Sequence, residues 1–164
     1  MSQAPQSTRR RTDSASRVIG ARPDAIYQAF AQPASLMRWL PPSGMSGQVL
    51  EYDFSDGGHY RIELHYDDIT SAGSGKTTDR TDITKGRFLE LLPNRRIKQS
   101  VEFESSDPAF AGEMTMTWLF EPAPEGSIVT VTAENVPSGI SKTDHDAGLK
   151  SSLDHLADVV ERQT

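Results

Sequence analysis

The stretch TSAGSGKTTD (Thr70–Asp79) ends in Gly75-Lys76-Thr77, the residue types with which a phosphate-binding loop closes on a nucleotide. Such a loop also needs an earlier glycine, a buried parallel strand before it and a helix N-terminus after it. Thr70 stands where the first glycine belongs, and the residues after Thr77 (TDRTDITKGRF) carry no helical period of apolar side chains. The strand before the loop alternates polar with apolar residues, so one of its faces is wet. The stretch therefore reads as a polar hairpin loop in which Gly73 and Gly75 permit turns. Nucleotide titration is expected to show nothing, and the chain is not read as an ATPase.

The four histidines raise a metal question. His59 and His65 on one strand would stand about 20 Å apart, and His145 and His155 on one helix point in different directions, so neither pair can chelate. His145 has a better claim as a ligand-contacting residue, because it sits at the start of an apolar helical stripe. Glu90 and Glu102 invite an acid/base reading, but Glu102 shares its face with Lys98 and Glu104 and reads as solvated. Glu90 shares parity with Phe88 and is expected to face inward, near Arg61 or Arg87. Trp39, fixed between flanking prolines, reads as an anchor for packing. Met114, Met116 and Trp118 form a soft stripe that suits either a core or an adaptable binding wall. No nucleophile elbow is present, no Ser/His/Asp assembly can be read from spacing, and no cofactor is implied.

These residues must be positioned by a chain of 164 residues, a length that suits one domain with one core. The net charge of −6 argues against non-specific nucleic-acid binding. Arg9-Arg10-Arg11 lies in a polar start, and residues 1–13 are expected to be a disordered tail before a single domain over 14–164. There are no cysteines, no apolar run long enough for a membrane span and no export signal, which suggests a cytoplasmic protein.

A first strand is expected at 14–19. Pro23 and Asp24 then open a helix with Ala25, Ile26, Ala29 and Phe30 on one face. Pro33 opens a second short helix, which Pro41-Pro42 stops. After Gly44 the period changes to two: GQVLEYDF, GHYRIELHY, TDITKGRFLELL, RRIKQSVEFES, EMTMTWLFE and SIVTVTAEN read as strands of an antiparallel meander. A helix over 141–162, capped by Ser141, carries His145, Leu149, Leu153, Leu156 and Val160 on one stripe. At about 1.5 Å per residue it can span the sheet. The fold class is α+β, a helix-grip arrangement in which a curved antiparallel sheet of about six to seven strands wraps the C-terminal helix.

Four motifs in order carry a resemblance. AIYQAFAQPASLMRWLPP, GGHYRIEL, GRFLELLPNRRI and HDAGLKSSLDHL resemble the family of homologues of the activator of the heat-shock-protein-90 ATPase. That family lies within the START-related and birch-pollen-allergen-like (SRPBCC) superfamily. The family usually has Trp where this chain has Leu149. The resemblance implies a hydrophobic cavity between sheet and helix and a small apolar ligand, lipid or aromatic. The expected lining is Trp39, Tyr60, Ile62, Leu64, Phe88, Val101, Phe103, Met116, Trp118, His145, Leu149, Leu153 and Leu156. Two alternatives stay open: a co-chaperone-like module that stimulates a partner ATPase, and a cyclase- or hydrolase-type enzyme using the same cavity.

Overall fold

The computed structural model describes residues 10–67, 75–78 and 80–162. Strand β1 (Arg11–Ile19) is followed by helix α1 (Pro23–Ala31) and the single-turn helix α2 (Pro33–Leu36). Six strands follow: β2 (Met45–Tyr52), β3 (His59–Tyr66), β4 (Thr81–Leu92), β5 (Arg96–Phe103), β6 (Glu113–Ala123) and β7 (Gly126–Val136). The long helix α3 (Lys142–Glu161) closes the chain. The strands form one antiparallel sheet in the order β1-β7-β6-β5-β4-β3-β2. This is the α+β helix-grip arrangement, with α3 against the inner face of the sheet.

The helices start and stop where their residues require. Gln32 precedes Pro33 and is extended, with φ −113° and ψ 131°, because the proline ring disfavours helical geometry in the residue before it. One residue thus ends α1 and opens α2. Ser141 caps α3 by accepting a hydrogen bond from the Asp144 N–H at 3.1 Å.

Alternation along the strands sends Tyr60, Ile62, Phe88, Ile97, Trp118, Phe120, Val129 and Val131 into one core with α1 and the stripe Leu149, Leu153, Leu156 and Val160. Its centre is an aromatic lattice. Phe30 meets Trp39 at 4.7 Å and Trp118 at 5.1 Å, and Phe54 meets Phe88 at 5.1 Å, all edge to face. Each such ring pair adds about 0.5–1.5 kcal/mol to the burial itself. A second cluster (Val101, Met114, Ala133, Val136 and Ile140) lies under the other end of the sheet.

Two expectations change. The boundary of the tail at residue 13 moves, because Arg11, Thr12 and Asp13 belong to β1; residues 1–9 lie outside the described residues. Glu90 does not face inward near Arg61 or Arg87. An extra residue in β4 breaks the register between Phe88, opposite Gln99, and Glu90, opposite Lys98. This bulge turns Glu90 to the outer face, where it accepts a hydrogen bond from Arg96 Nε at 2.8 Å. Arg61 is held elsewhere, in a two-pronged pair with Glu104.

Candidate functional site between the sheet and the C-terminal helix

The inner face of the sheet has two characters. At the α1 end the expected lining residues are closed core. Trp39 has no exposed surface and donates its indole N–H to the Ala29 carbonyl at 3.0 Å, so it packs α2 onto the sheet. Trp118, Phe88, Ile62, Leu153 and Leu156 are buried beside it.

Other inward positions of the sheet are less completely buried. Leu64 on β3, Thr84 on β4, Gln99 and Phe103 on β5 and Met116 on β6 occupy inward positions of adjoining strands, yet all are only half-buried. Val101, Leu149 and Tyr60 adjoin them and are buried. The Tyr60 hydroxyl donates to the Ser100 carbonyl at 2.5 Å, crossing Gly86. A Cβ at residue 86 would come within 1.9 Å of the Ser100 carbonyl oxygen and 2.9 Å of that hydroxyl, which explains glycine there. Burial raises the Tyr60 pKa above the ordinary phenol value, so the group is a neutral donor.

The polar groups in this region are ordered. Gln99 Oε1 accepts from the Trp118 indole N–H at 3.1 Å, which fixes the amide and presents its NH₂ as a donor group. His145 Nδ1 lies 2.8 Å from Asp13 Oδ2, and Arg11 Nε lies 2.8 Å from Oδ1. The Asp13 side chain is fully buried and that of His145 is 15% exposed. Burial opposes the Asp13 charge, but the hydrogen bonds from Arg11 and His145 outweigh it and hold the carboxyl below its ordinary value. An ionised Asp13 only accepts, so His145 carries its proton on Nδ1 and, when neutral, offers Nε2 as an acceptor.

The phosphate-loop-like lysine is already engaged. Lys76 Nζ is 2.9 Å from Asp82 Oδ2, with side chains 17% and 7% exposed, and its ammonium lies over the rings of Phe103 (5.1 Å) and Phe110 (5.9 Å). Its own N–H also donates to Asp82 Oδ1 at 2.6 Å. Residues 70–74 and 79 of the quoted stretch lie outside the described residues.

The histidines fall where their spacing suggested. His59 and His65 are on the outer face of β3, while His145 and His155 engage different partners. Among the described residues no group of three or more His, Asp and Glu could hold a metal ion, and no helix is long and apolar enough to cross a membrane.

Two depressions open on the surface of the described residues. One, of about 420 Å³, is bounded by Met37, Arg38, Pro41, Ser43, Met45 and His155. The other, of about 310 Å³, is a charged groove that includes Glu51, Arg61, Lys85 and Glu102. Sequence reading missed the first, because Ser43 and His155 come together across 112 residues with no local motif.

Sheet and gripped helix define a helix-grip domain of the START-related kind. More narrowly, the chain belongs to the family described as Activator of Hsp90 ATPase homolog 1-like protein, which residues 20–161 match. A protein from Chromobacterium violaceum is 33% identical with a TM-score of 0.80, over 92% of this chain and 96% of that one. The AHSA1 protein from Silicibacter pomeroyi has a TM-score of 0.75 at 16% identity, over 94% of this chain and 100% of that one. An AHSA1-like protein from Aeromonas hydrophila has a TM-score of 0.69 at 17% identity, over 93% and 94%. The last two show the shared fold alone. No curated protein matches the chain.

Proposed function

We propose that the protein binds a small, mostly apolar molecule between the sheet and the N-terminal half of α3. The observation that carries this reading is the group of inward-facing residues Leu64, Thr84, Gln99, Phe103 and Met116, which are only half-buried on the inner face of the sheet. In a closed core, side chains at such positions lose contact with water entirely, as Trp118 and Phe88 do here. The walls are apolar with a few fixed polar groups, the usual make-up of a small-molecule site.

The polar groups suggest what the ligand carries. The Gln99 NH₂ donates and His145 Nε2 accepts, so an apolar body with a hydroxyl or carbonyl at one end matches them. Val101 and Leu149 close the apolar side, and Met116 can adjust its shape to the guest. Trp39, Ile62, Phe88, Leu153 and Leu156 act as the rigid floor rather than as contact surface.

The test is titration with a panel of fatty acids and substituted aromatics, read by the emission of Trp39 and Trp118. Saturable quenching by at least one class supports the reading. No response from the whole panel, together with an interior space below about 300 Å³, would remove it.

A further inference from the structure

Between the loop after α2 and the outer side of α3 lies a serine–histidine pair that the sheet–helix interior does not involve. Ser43 Oγ is 3.2 Å from His155 Nε2, and His155 Nδ1 is 3.1 Å from the Pro41 carbonyl oxygen. A carbonyl can only accept, so the proton of neutral His155 sits on Nδ1 and the lone pair of Nε2 faces the Ser43 hydroxyl. Ser151 Oγ adds a third contact, 3.2 Å from Ser43 Oγ, and accepts from the Ser43 N–H at 2.9 Å. Hydroxyl, base and a group that orients the base are thus in the relation that activates a serine nucleophile.

The surroundings admit a substrate. Ser43 is exposed at the cleft of about 420 Å³, whose walls include Met37, Met45 and Pro42. Gly44 has φ +88°, and a Cβ there would meet nothing within 4 Å, so approach to Ser43 is unobstructed on that side. Arg38 also borders the cleft. Its guanidinium supplies positive charge at the wall for a carbonyl oxygen on which negative charge develops.

We propose that Ser43 and His155 form a catalytic pair for acyl transfer from small carboxylic esters with an apolar acyl group. Ser43 Oγ attacks the ester carbonyl carbon while its proton passes to His155 Nε2, and the carbonyl π electrons move onto oxygen. Collapse re-forms the carbonyl and breaks the bond to the alcohol oxygen, which takes the proton from His155. Water then attacks the acyl–Ser43 ester, with His155 accepting its proton and returning it to Ser43 Oγ as the carboxylic acid leaves. The net change is ester and water to acid and alcohol, with no co-reactant beyond water.

The test uses p-nitrophenyl acetate and p-nitrophenyl butyrate on the full chain. It combines a stopped-flow search for a nitrophenolate burst with peptide mass mapping of the trapped adduct. The expected result is a burst approaching one equivalent and one acyl group on the peptide carrying Ser43. Ser43→Ala removes both, and His155→Gln slows acylation by about 100-fold or more, with thermal melts showing that each variant is folded. Wild-type hydrolysis no faster than that of Ser43→Ala, or acyl groups only on lysine or His155, would overturn the proposal. Neither outcome decides whether a ligand binds in the interior, because neither Ser43 nor His155 belongs to its proposed lining.

Discussion

The Asp13 cluster gives the sharpest test of how the C-terminal helix is held to the sheet. Asp13 lies on edge strand β1, is fully buried and receives Arg11 and His145 at 2.8 Å each; Lys142 stands 3.9 Å away. In Asp13→Asn the shape is kept and the charge is lost. The amide oxygen can still accept from Arg11, and His145 can change tautomer to accept from the new NH₂, so no donor is stranded. What disappears is the charge assistance. Each hydrogen bond to a charged group is worth about 1.5–3 kcal/mol, and breaking a fully buried pair costs about 3–5 kcal/mol. Arg11 is 30% exposed and recovers part of this from water. The expected loss is therefore about 2–3 kcal/mol, which lowers Tm by about 5–10 °C for a domain of this size. The sign with pH follows from the depressed carboxyl. Because the folded value lies below the unfolded one, the contribution is complete above pH ~4 and fades as pH falls through the folded value. Urea titrations of wild type and variant from pH 7 down to pH 3 measure it. A difference under about 0.5 kcal/mol at pH 7, or one larger at pH 3 than at pH 5, would refute the reasoning.

Further predictions follow from single contacts. Lys76→Met strands the Asp82 carboxylate, 7% exposed, with one backbone donor, and should cost about 3 kcal/mol in chemical denaturation. Isothermal titration of the wild type with ATP should release no heat of binding, because the lysine is already paired. Trp118→Phe leaves Gln99 Oε1 without its indole donor and should destabilise by about 1–3 kcal/mol, more than the change in apolar area alone requires. Met116→Trp adds bulk at a half-buried inner-face position where the ligand is proposed to sit. It should abolish the ligand-induced fluorescence change while Tm stays within a few degrees, and unchanged affinity would place the ligand elsewhere.

The sequence made much of the frame legible, for physical reasons that can be named. TDITKGRFLELL coincides with β4, and the inward residues of β3, β5, β6 and β7 have the parity that period-two alternation assigns them. Ser141 was readable as a cap because a hydroxyl at that position has a specific backbone partner. Three features left no such mark. The bulge that turns Glu90 outward adds one residue to a strand without changing its composition, so parity carried across it was misleading. Arg11 and Asp13 look like a solvated tail until His145, distant in the chain, supplies the partner that allows Asp13 to be buried. The strand residues of the expected lining set share one parity but have two fates. Alternation distinguishes inside from outside, whereas only the path of the helices decides that Phe88 and Trp118 are closed in while Met116 and Phe103 keep open surface.

Methionine methyl groups offer the most direct test of where a ligand sits. The chain has five methionines: Met114 and Met116 belong to the sheet interior, and Met37 and Met45 border the Ser43 cleft. The measurement is a ¹³C-methyl NMR titration of methionine-labelled protein with a medium-chain fatty acid and with a naphthol. Binding beneath α3 predicts saturable shifts of the Met116 methyl while Met37 and Met45 stay in place. Shifts confined to Met37 and Met45, or no shift of Met116 with any ligand that quenches the tryptophans, would contradict the account.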